Sequence, residues 1–222
     1  MHFILSLDTA VAGASVCLSD GATVKSLKRH EAQNESAGWI HTAIQELLQE
    51  HSLSVSNLAA VAVSAGPGSY TGLRIGMATA KGLCYAAGVP LIAINTLQMM
   101  AAAAAGEPTA LLCPMIDARR MEVFTALYTT DLQEVLPAQA LILDETCFAK
   151  ALDAGPVLFF GNGSGKFRPL LQHPNASFKS IAADASHIAT LANNVLLQKK
   201  FVNLAYSEPF YGKDFFSPGV KH

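Results

Sequence analysis

The stretch Ser64-Ala65-Gly66-Pro67-Gly68-Ser69-Tyr70-Thr71-Gly72-Leu73-Arg74-Ile75-Gly76-Met77-Ala78 constrains this chain more than any other. The apolar run Ala59 to Val63 leads into it as a buried strand would, and a helix must leave it. Gly66 and Gly68 flank Pro67, whose φ is fixed, and glycine reaches the positive φ values that a tight reversal demands. Ser69 or Thr71 is placed to cap the helix, whose first N–H groups have no partners of their own. Such a turn suits an anion. Yet no Lys-Ser or Lys-Thr follows at the spacing of a phosphate-binding G-x-x-x-x-G-K-[ST] loop.

The predicted helix, Tyr70 to Ala87, carries Arg74 and Lys81 as its formal charges, on one narrow stripe. Gly72, Gly76, Ala80, Cys84 and Gly88 recur at every fourth position. An interior glycine costs about 1 kcal/mol relative to alanine, so this pattern asks for close packing that offsets the cost. Two readings stand at this point. The helix packs on its own sheet, or a second protein approaches it through the small residues.

Composition favours neither reading outright. The 222 residues suffice for one large domain or two lobes. Only 14% are charged and 51% are hydrophobic, a shortage of charge that fits a chain hiding surface in an oligomer or complex. The net charge of −2 argues against a chain that grips nucleic acid by itself. Cys17, Cys84, Cys113 and Cys147 form no C-x-x-C pair, which argues against a zinc site or a redox pair. No run is long and apolar enough to span a bilayer, and nothing opens like a signal peptide, so a cytoplasmic protein is expected.

Strands are expected at 3–7, 14–18 and 23–27, with Asp8-Thr9 ending the first. Asn34-Glu35-Ser36 starts a helix to about His51, its apolar stripe Ile40, Ile44, Leu47 and Leu48 widened by Trp39 and Ala43. A short strand over 89–94 and a helix over 97–105 follow, and Gly106-Glu107-Pro108 marks the boundary between a lobe of 1–105 and one of 106–222. The second half then begins as the first did, with a strand at 111–116, Asp117, a turn at Arg119-Arg120 and a strand at 121–128. This recurrence of elements suggests two related lobes facing each other. Beyond it come a strand at 140–143, a helix at 145–152, a strand at 156–160, a glycine loop at 161–165 and a closing helix at 184–200. The aromatic tail 205–216 includes Lys213 and could stack on RNA bases, although docking on its own protein is the stronger reading.

Asp8, Thr9, Gly66, Gly68, Asp117, Gly161 and Gly163 form a candidate nucleotide cleft, with the two aspartates facing across it. Val11 sits in the turn where phosphate-binding hairpins carry small or polar residues, so weak nucleotide binding is the most this cleft promises. No cofactor, no metal site and no catalytic residue is expected.

Ile4-Leu5-Ser6-Leu7-Asp8-Thr9, Gly66 to Gly76, Asp117-Ala118-Arg119-Arg120-Met121-Glu122-Val123 and Glu208-Pro209-Phe210-Tyr211 together resemble the TsaB (YeaZ) family over nearly the whole chain. Gly212-Lys213 stands where Leu-Arg is commoner, and Asn34-Glu35-Ser36 replaces the usual His-Ser-Glu. The resemblance implies an α/β, two-lobed fold like that of the actin, hexokinase and Hsp70 ATPases (the ASKHA fold), with a mixed sheet and flanking helices in each lobe. It also implies work in making threonylcarbamoyladenosine beside the anticodon of tRNAs that read ANN codons. There the family is a degenerate sibling of the catalytic subunit TsaD. It binds TsaD, reaches TsaE and tRNA through the complex, and dimerises when alone. The sibling carries a metal-binding H-x-x-x-H, whose positions counted from Val89-Pro90 hold Thr96 and Met100 here. An accessory subunit rather than an enzyme is therefore expected, with an isolated ASKHA-type ATPase or kinase as the alternative. The expected interface, used for TsaD or for a second copy, comprises Trp39, Ile40, Ala43, Leu47, Tyr70, Leu73, Arg74, Gly76, Met77, Ala80, Lys81 and Cys84.

Overall fold

The computed structural model of the protein describes residues 2–11, 13–31 and 36–212. The expected helix start at Asn34-Glu35 and the tail from Lys213 onward lie outside the described residues.

The first half folds as β1 (Phe3–Asp8), β2 (Ala14–Asp20), β3 (Thr23–His30), α1 (Ser36–Glu50), β4 (Leu58–Ser64), α2 (Tyr70–Ala87), β5 (Leu91–Ile94) and α3 (Thr96–Ala104). The second half folds as β6 (Leu111–Asp117), β7 (Glu122–Thr129), β8 (Glu134–Ile142), α4 (Ala149–Ala154), β9 (Val157–Phe160), α5 (Ser164–Phe167), β10 (Ala176–Lys179) and α6 (Ile188–Gln198). Two five-stranded sheets result, ordered β3-β2-β1-β4-β5 and β10-β9-β6-β7-β8. In each, an antiparallel meander of three strands is extended by parallel pairing, β1 to β4 and β4 to β5 in one, β6 to β9 and β9 to β10 in the other. The repeat of elements in the sequence is thus a repeat of topology.

Residue alternation on β1 and β4 explains the layers. Leu5, Leu7, Val61 and Val63 point to one face, where Ile40 and Leu47 of α1 and Met77 and Ala80 of α2 cover them. Ile4, Ala60 and Ala62 point to the other face and meet Leu97, Met100 and Ala101 of α3 and Ile188, Leu191 and Ala192 of α6. The same core takes in Leu112, Ile116, Tyr128 and Phe160 of the second sheet. Helices α3 and α6 are therefore a layer common to both sheets. α3 of the first half packs on β6 and β7, and α6 of the second half packs back on β1, β4 and β5. The outer face of the second sheet is closed by Phe148, Phe159 and Phe167, whose rings meet edge to face. Among the described residues no helix is long and apolar enough to cross a membrane.

Four expectations need correction. The strand expected at 140–143 is the longer β8, an edge strand that runs back to Glu134 through Pro137 and Gln139, which interrupt its apolar pattern. β10, a four-residue edge strand reading Ala-Ser-Phe-Lys, was not anticipated. The helix expected from 145 starts only at Ala149. α6 starts at Ile188, after a single 3-10 turn over Ala185–His187.

Asn95 shows how short helices here are held. Its carboxamide oxygen accepts from the N–H groups of Leu97 at 2.8 Å and Gln98 at 3.4 Å. Asn95→Ala is expected to lower unfolding free energy by about 1 kcal/mol. A urea midpoint equal to that of the parent chain would mean the cap contributes nothing.

Candidate functional site

The turn before α2 is built on contact with the first hairpin. Gly66 sits at φ +108°, and a Cβ there would lie 2.0 Å from the Phe210 carbonyl oxygen. Gly68 needs no positive φ. It is required because a Cβ would come within 2.4 Å of the Ala10 carbonyl oxygen. The Ser69 N–H donates to that same oxygen at 2.7 Å, and the Ser69 hydroxyl accepts from the Gly72 N–H at 3.3 Å, so Ser69 is the cap.

The glycine stripe continues this contact. A Cβ on Gly72 would lie 1.9 Å from the Thr9 carbonyl oxygen, and one on Gly76 would lie 2.4 Å from Thr9 Oγ1. Thr9 Oγ1 in turn donates to the Gly72 carbonyl at 2.7 Å. Ala80 and Cys84 are fully covered, and burial pushes the Cys84 thiol up to about 11. The small residues of α2 serve its approach to the β1–β2 turn and β4.

This places most of the expected interface inside the protein. Ile40, Ala43, Leu47, Leu73, Gly76, Met77, Ala80 and Cys84 are buried in the chain's own core, so they are not open to a partner in this fold. The periodicity that marked them is the periodicity of any covered helix face. Trp39 is half-buried, stacked on His30 with ring centroids 5.3 Å apart. Tyr70, Arg74 and Lys81 reach the surface and meet the tail, whose described residues, 205–212, dock on the protein itself. Lys81 Nζ donates to the carbonyls of Ala205 and Ser207, each at 3.1 Å. Arg74 Nε donates to the Tyr211 hydroxyl at 3.2 Å, and its guanidinium stands 4.3 Å above the Tyr70 ring. The face of α2 left outward among the described residues is Thr71, Ala78, Gly82 and Tyr85. Tyr85 is 83% exposed. The heptad spacing of Thr71, Ala78 and Tyr85 was a legible signal for this face, hidden behind the glycines.

The expected cleft residues divide in a similar way. Asp8 is 2% exposed; burial pushes its carboxyl up, while the Ser64 hydroxyl at 2.5 Å and the Ala10 N–H at 3.0 Å pull it back. Asp117 is exposed and ion-paired with Lys166 at 2.5 Å, which holds its carboxyl below the usual range. Thr9, Gly66 and Gly68 are spent on the packing just described, and Gly163 abuts Val123 and Ile116. A cavity of about 430 Å³ does lie between the sheets, and Gly161, at φ +94°, lines it with Val11, Ser15, Met100, Asn162 and Asp184. Neither Asp8 nor Asp117 lines this cavity.

Two residues that sequence reasoning missed close one side of it. Arg29 at the end of β3 meets Asp184 ahead of α6, with 2.7 Å between charged atoms. Burial alone would raise the Asp184 carboxyl, but hydrogen bonds from His187, Ser186 and Arg29 outweigh it and hold the group well below the usual carboxylate range. Nothing local in the sequence links positions so far apart. Thr96, where the catalytic sibling's pattern would place a histidine, is buried, and its hydroxyl accepts from the Gly66 N–H at 3.1 Å. Met100 packs in the shared core. No group of three or more His, Cys, Asp or Glu side chains among the described residues is placed to hold a metal ion.

Comparison with known proteins fits this architecture. The family described as "TsaD: tRNA N6-adenosine threonylcarbamoyltransferase" matches residues 29–211. The tRNA threonylcarbamoyladenosine biosynthesis protein TsaB of Bacillus subtilis is 31% identical over 65% of this chain and 64% of its own length. The TsaB of Escherichia coli is 36% identical over 58% of this chain and 55% of its own. The match thus spans less than two thirds of either relative. The solved structure titled YeaZ from Pseudomonas aeruginosa superposes with a TM-score of 0.84 at 24% identity, over 95% of this chain and all of that one. The doubled sheet topology, the shared helical layer and these matches give a two-lobed ASKHA-like fold. The chain belongs to the family of the TsaD-type tRNA N6-adenosine threonylcarbamoyltransferase domain and, within it, to TsaB (YeaZ).

Proposed function

We propose that the chain is a non-catalytic, cytoplasmic accessory subunit in tRNA threonylcarbamoyladenosine biosynthesis, acting by binding and stabilising TsaD, with TsaE and tRNA engaged through the complex. The observation that carries this reading is the state of the cleft. Asp8 is committed to Ser64 and Ala10, Asp117 to Lys166, and the β1–β2 turn is covered by Gly68 of the turn before α2 and Gly72 of α2. A phosphoryl-transfer site would need those carboxylates and that turn free for charge and phosphate. The face Thr71, Ala78, Gly82 and Tyr85, exposed among the described residues, supplies what an accessory subunit needs instead. A second copy using the same face would give an isologous homodimer that competes with TsaD.

Ala78→Arg and Tyr85→Ala test this reading. Each leaves the core untouched, and each is expected to weaken co-purification with TsaD at least tenfold, about 1.4 kcal/mol. Retention of both variants by TsaD at parental affinity, with unchanged circular dichroism, would remove this face from the account.

The second reading, an ATPase or kinase acting alone, draws on the 430 Å³ cavity and its Arg29–Asp184 wall. Steady ATP turnover by the isolated chain would reverse the ranking.

A further inference from the structure

Ser180-Ile181-Ala182-Ala183 follows β10, an edge strand of the second sheet, and leads to the turn that precedes α6. The side chains of this run alternate as those of a strand do. Ile181 and Ala183 pack toward the core shared by the two sheets, while Ala182 between them is exposed. Asp184 closes the run in an extended conformation, at φ −151° and ψ −178°. Main chain of this kind ordinarily pairs with a neighbour. Here the N–H and C=O groups of Ser180 to Ala183 make no hydrogen bond among the described residues. The edge strand is thus prolonged by a run whose main chain is left to pair.

Two cavities border the run. The 430 Å³ cavity is lined by Ile181, Ala182 and Ala183 from the second half and by residues of β2 and β3 from the first. A second cavity, of about 500 Å³, shares Gly161, Asn162 and Ile181 with it and continues to Ser180, Lys179 and Arg168. Their chemistry differs. In the first, Val11, Ala14 and Met100 give an apolar wall. An anion there would meet the Glu31 and Asp184 carboxylates, and the arginine beside them, Arg29, is already paired with Asp184. The second cavity has no acid in its lining. Lys179 there is paired with Glu107, whereas Arg168 is exposed and has no acidic partner among the described residues.

We propose that Ser180 to Ala183 binds an extended peptide by main-chain pairing, with a small aliphatic side chain of that peptide in the 430 Å³ cavity and an acidic one on Arg168. A peptide main chain offers N–H and C=O groups in alternation, as an unpaired edge requires. It is also uncharged, so it enters beside Glu31 and Asp184 without the repulsion that phosphates would meet there. Val11, Met100 and Ile181 then select an aliphatic side chain. Lys179 and Ala183 lie about 13 Å apart along an extended run, at about 3.3 Å per residue, which sets the acid about four positions from the aliphatic residue. No residue of the outward face of α2 takes part, so this inference and the accessory-subunit reading fail separately.

The test passes a hexapeptide library over the immobilised full chain, reads the retained sequences by mass spectrometry, and titrates the strongest binder by fluorescence anisotropy. Peptides with Asp or Glu about four positions from Val or Ala should be enriched. Ala182→Pro removes a main-chain donor from the run and should weaken the binder about tenfold, whereas Ala182→Ser keeps the donor and should change it by less than about twofold. Arg168→Glu should weaken the acidic peptide about tenfold and leave its Gln counterpart within about twofold. Circular dichroism and co-purification with TsaD should match the parent chain in all three variants. Should Ala182→Pro lose its fold, the charge selectivity of Arg168→Glu decides. Absence of any enriched peptide, parental affinity in a folded Ala182→Pro, or equal loss of the acidic and Gln peptides in Arg168→Glu would overturn the proposal. Retention of ATP in place of peptides, lost in the same variants, would overturn it in favour of a nucleotide.

Discussion

Gly72→Ala is expected to lower the unfolding free energy by about 2–3 kcal/mol, while Gly82→Ala, ten residues along the same helix, raises it by about 1 kcal/mol. The added methyl on Gly72 would stand 1.9 Å from the Thr9 carbonyl oxygen, which belongs to backbone and cannot rotate away. Relief requires α2 to lift from the β1–β2 turn, which also strains the 2.7 Å bond from Thr9 to the Gly72 carbonyl. Overpacking of this kind outweighs the helix propensity that alanine returns. At Gly82 a Cβ meets nothing within 4 Å, so propensity acts alone. Paired urea titrations decide the matter. Equal shifts of the same sign would refute the account of why this helix carries glycine. By the same logic a bulky residue at Gly76, which sequence reasoning would offer as an interface probe, breaks the fold before it reaches any partner. Its Cβ would press on Thr9 Oγ1 at 2.4 Å and Val63 at 3.3 Å.

Asp184→Ala should cost about 3 kcal/mol at neutral pH. Its carboxylate caps the turn into α6 by accepting from the Ser186 N–H at 2.8 Å and the Ser186 hydroxyl at 2.5 Å, and it pairs with Arg29 of the first sheet. Arg29 is 63% exposed at the side chain, so solvent screens the ion pair and the hydrogen bonds supply most of the effect. The group's folded pKa lies below its ordinary 3.8, so on acidification the unfolded state takes up the proton first. Its contribution is complete above that value and drains as pH falls through it toward the lower folded value. Asp8 runs the other way. Its folded pKa is raised above 3.8, so stability declines as pH rises from that value to the folded one, and Asp8→Asn should flatten that decline. Urea midpoints from about pH 1.5 to 7 for the parent and both variants measure these slopes. A parent-like acid limb in Asp184→Ala would sink the argument.

Much of the architecture was legible because it depends on local pattern. Apolar runs ended by Asp8 and Asp117, the Gly-Pro-Gly turn and the 3.6-residue periodicity of α1 and α2 each announce their element. The elements that escaped, β10 and most of β8, are edge strands, β10 only four residues long and β8 interrupted by Pro137 and Gln139. Most of the residues expected at the interface proved to be buried core for a related reason. A stripe of small residues records that some backbone comes close, and it is silent on whose backbone that is. Thr9 and Ala10 supply it here.

By itself the sequence determined the order of elements, the doubled plan of the two halves, the need for close approach at Gly72 and Gly76, and the family. Only the tertiary structure decided that α3 and α6 are shared between the sheets, that Arg74 and Lys81 hold the tail, and that Arg29 meets Asp184. The reason is range. Periodicity and turn chemistry are set by neighbours within a few residues, whereas the tail and ion-pair contacts join positions more than a hundred apart, as with Arg29 and Asp184 at a separation of 155.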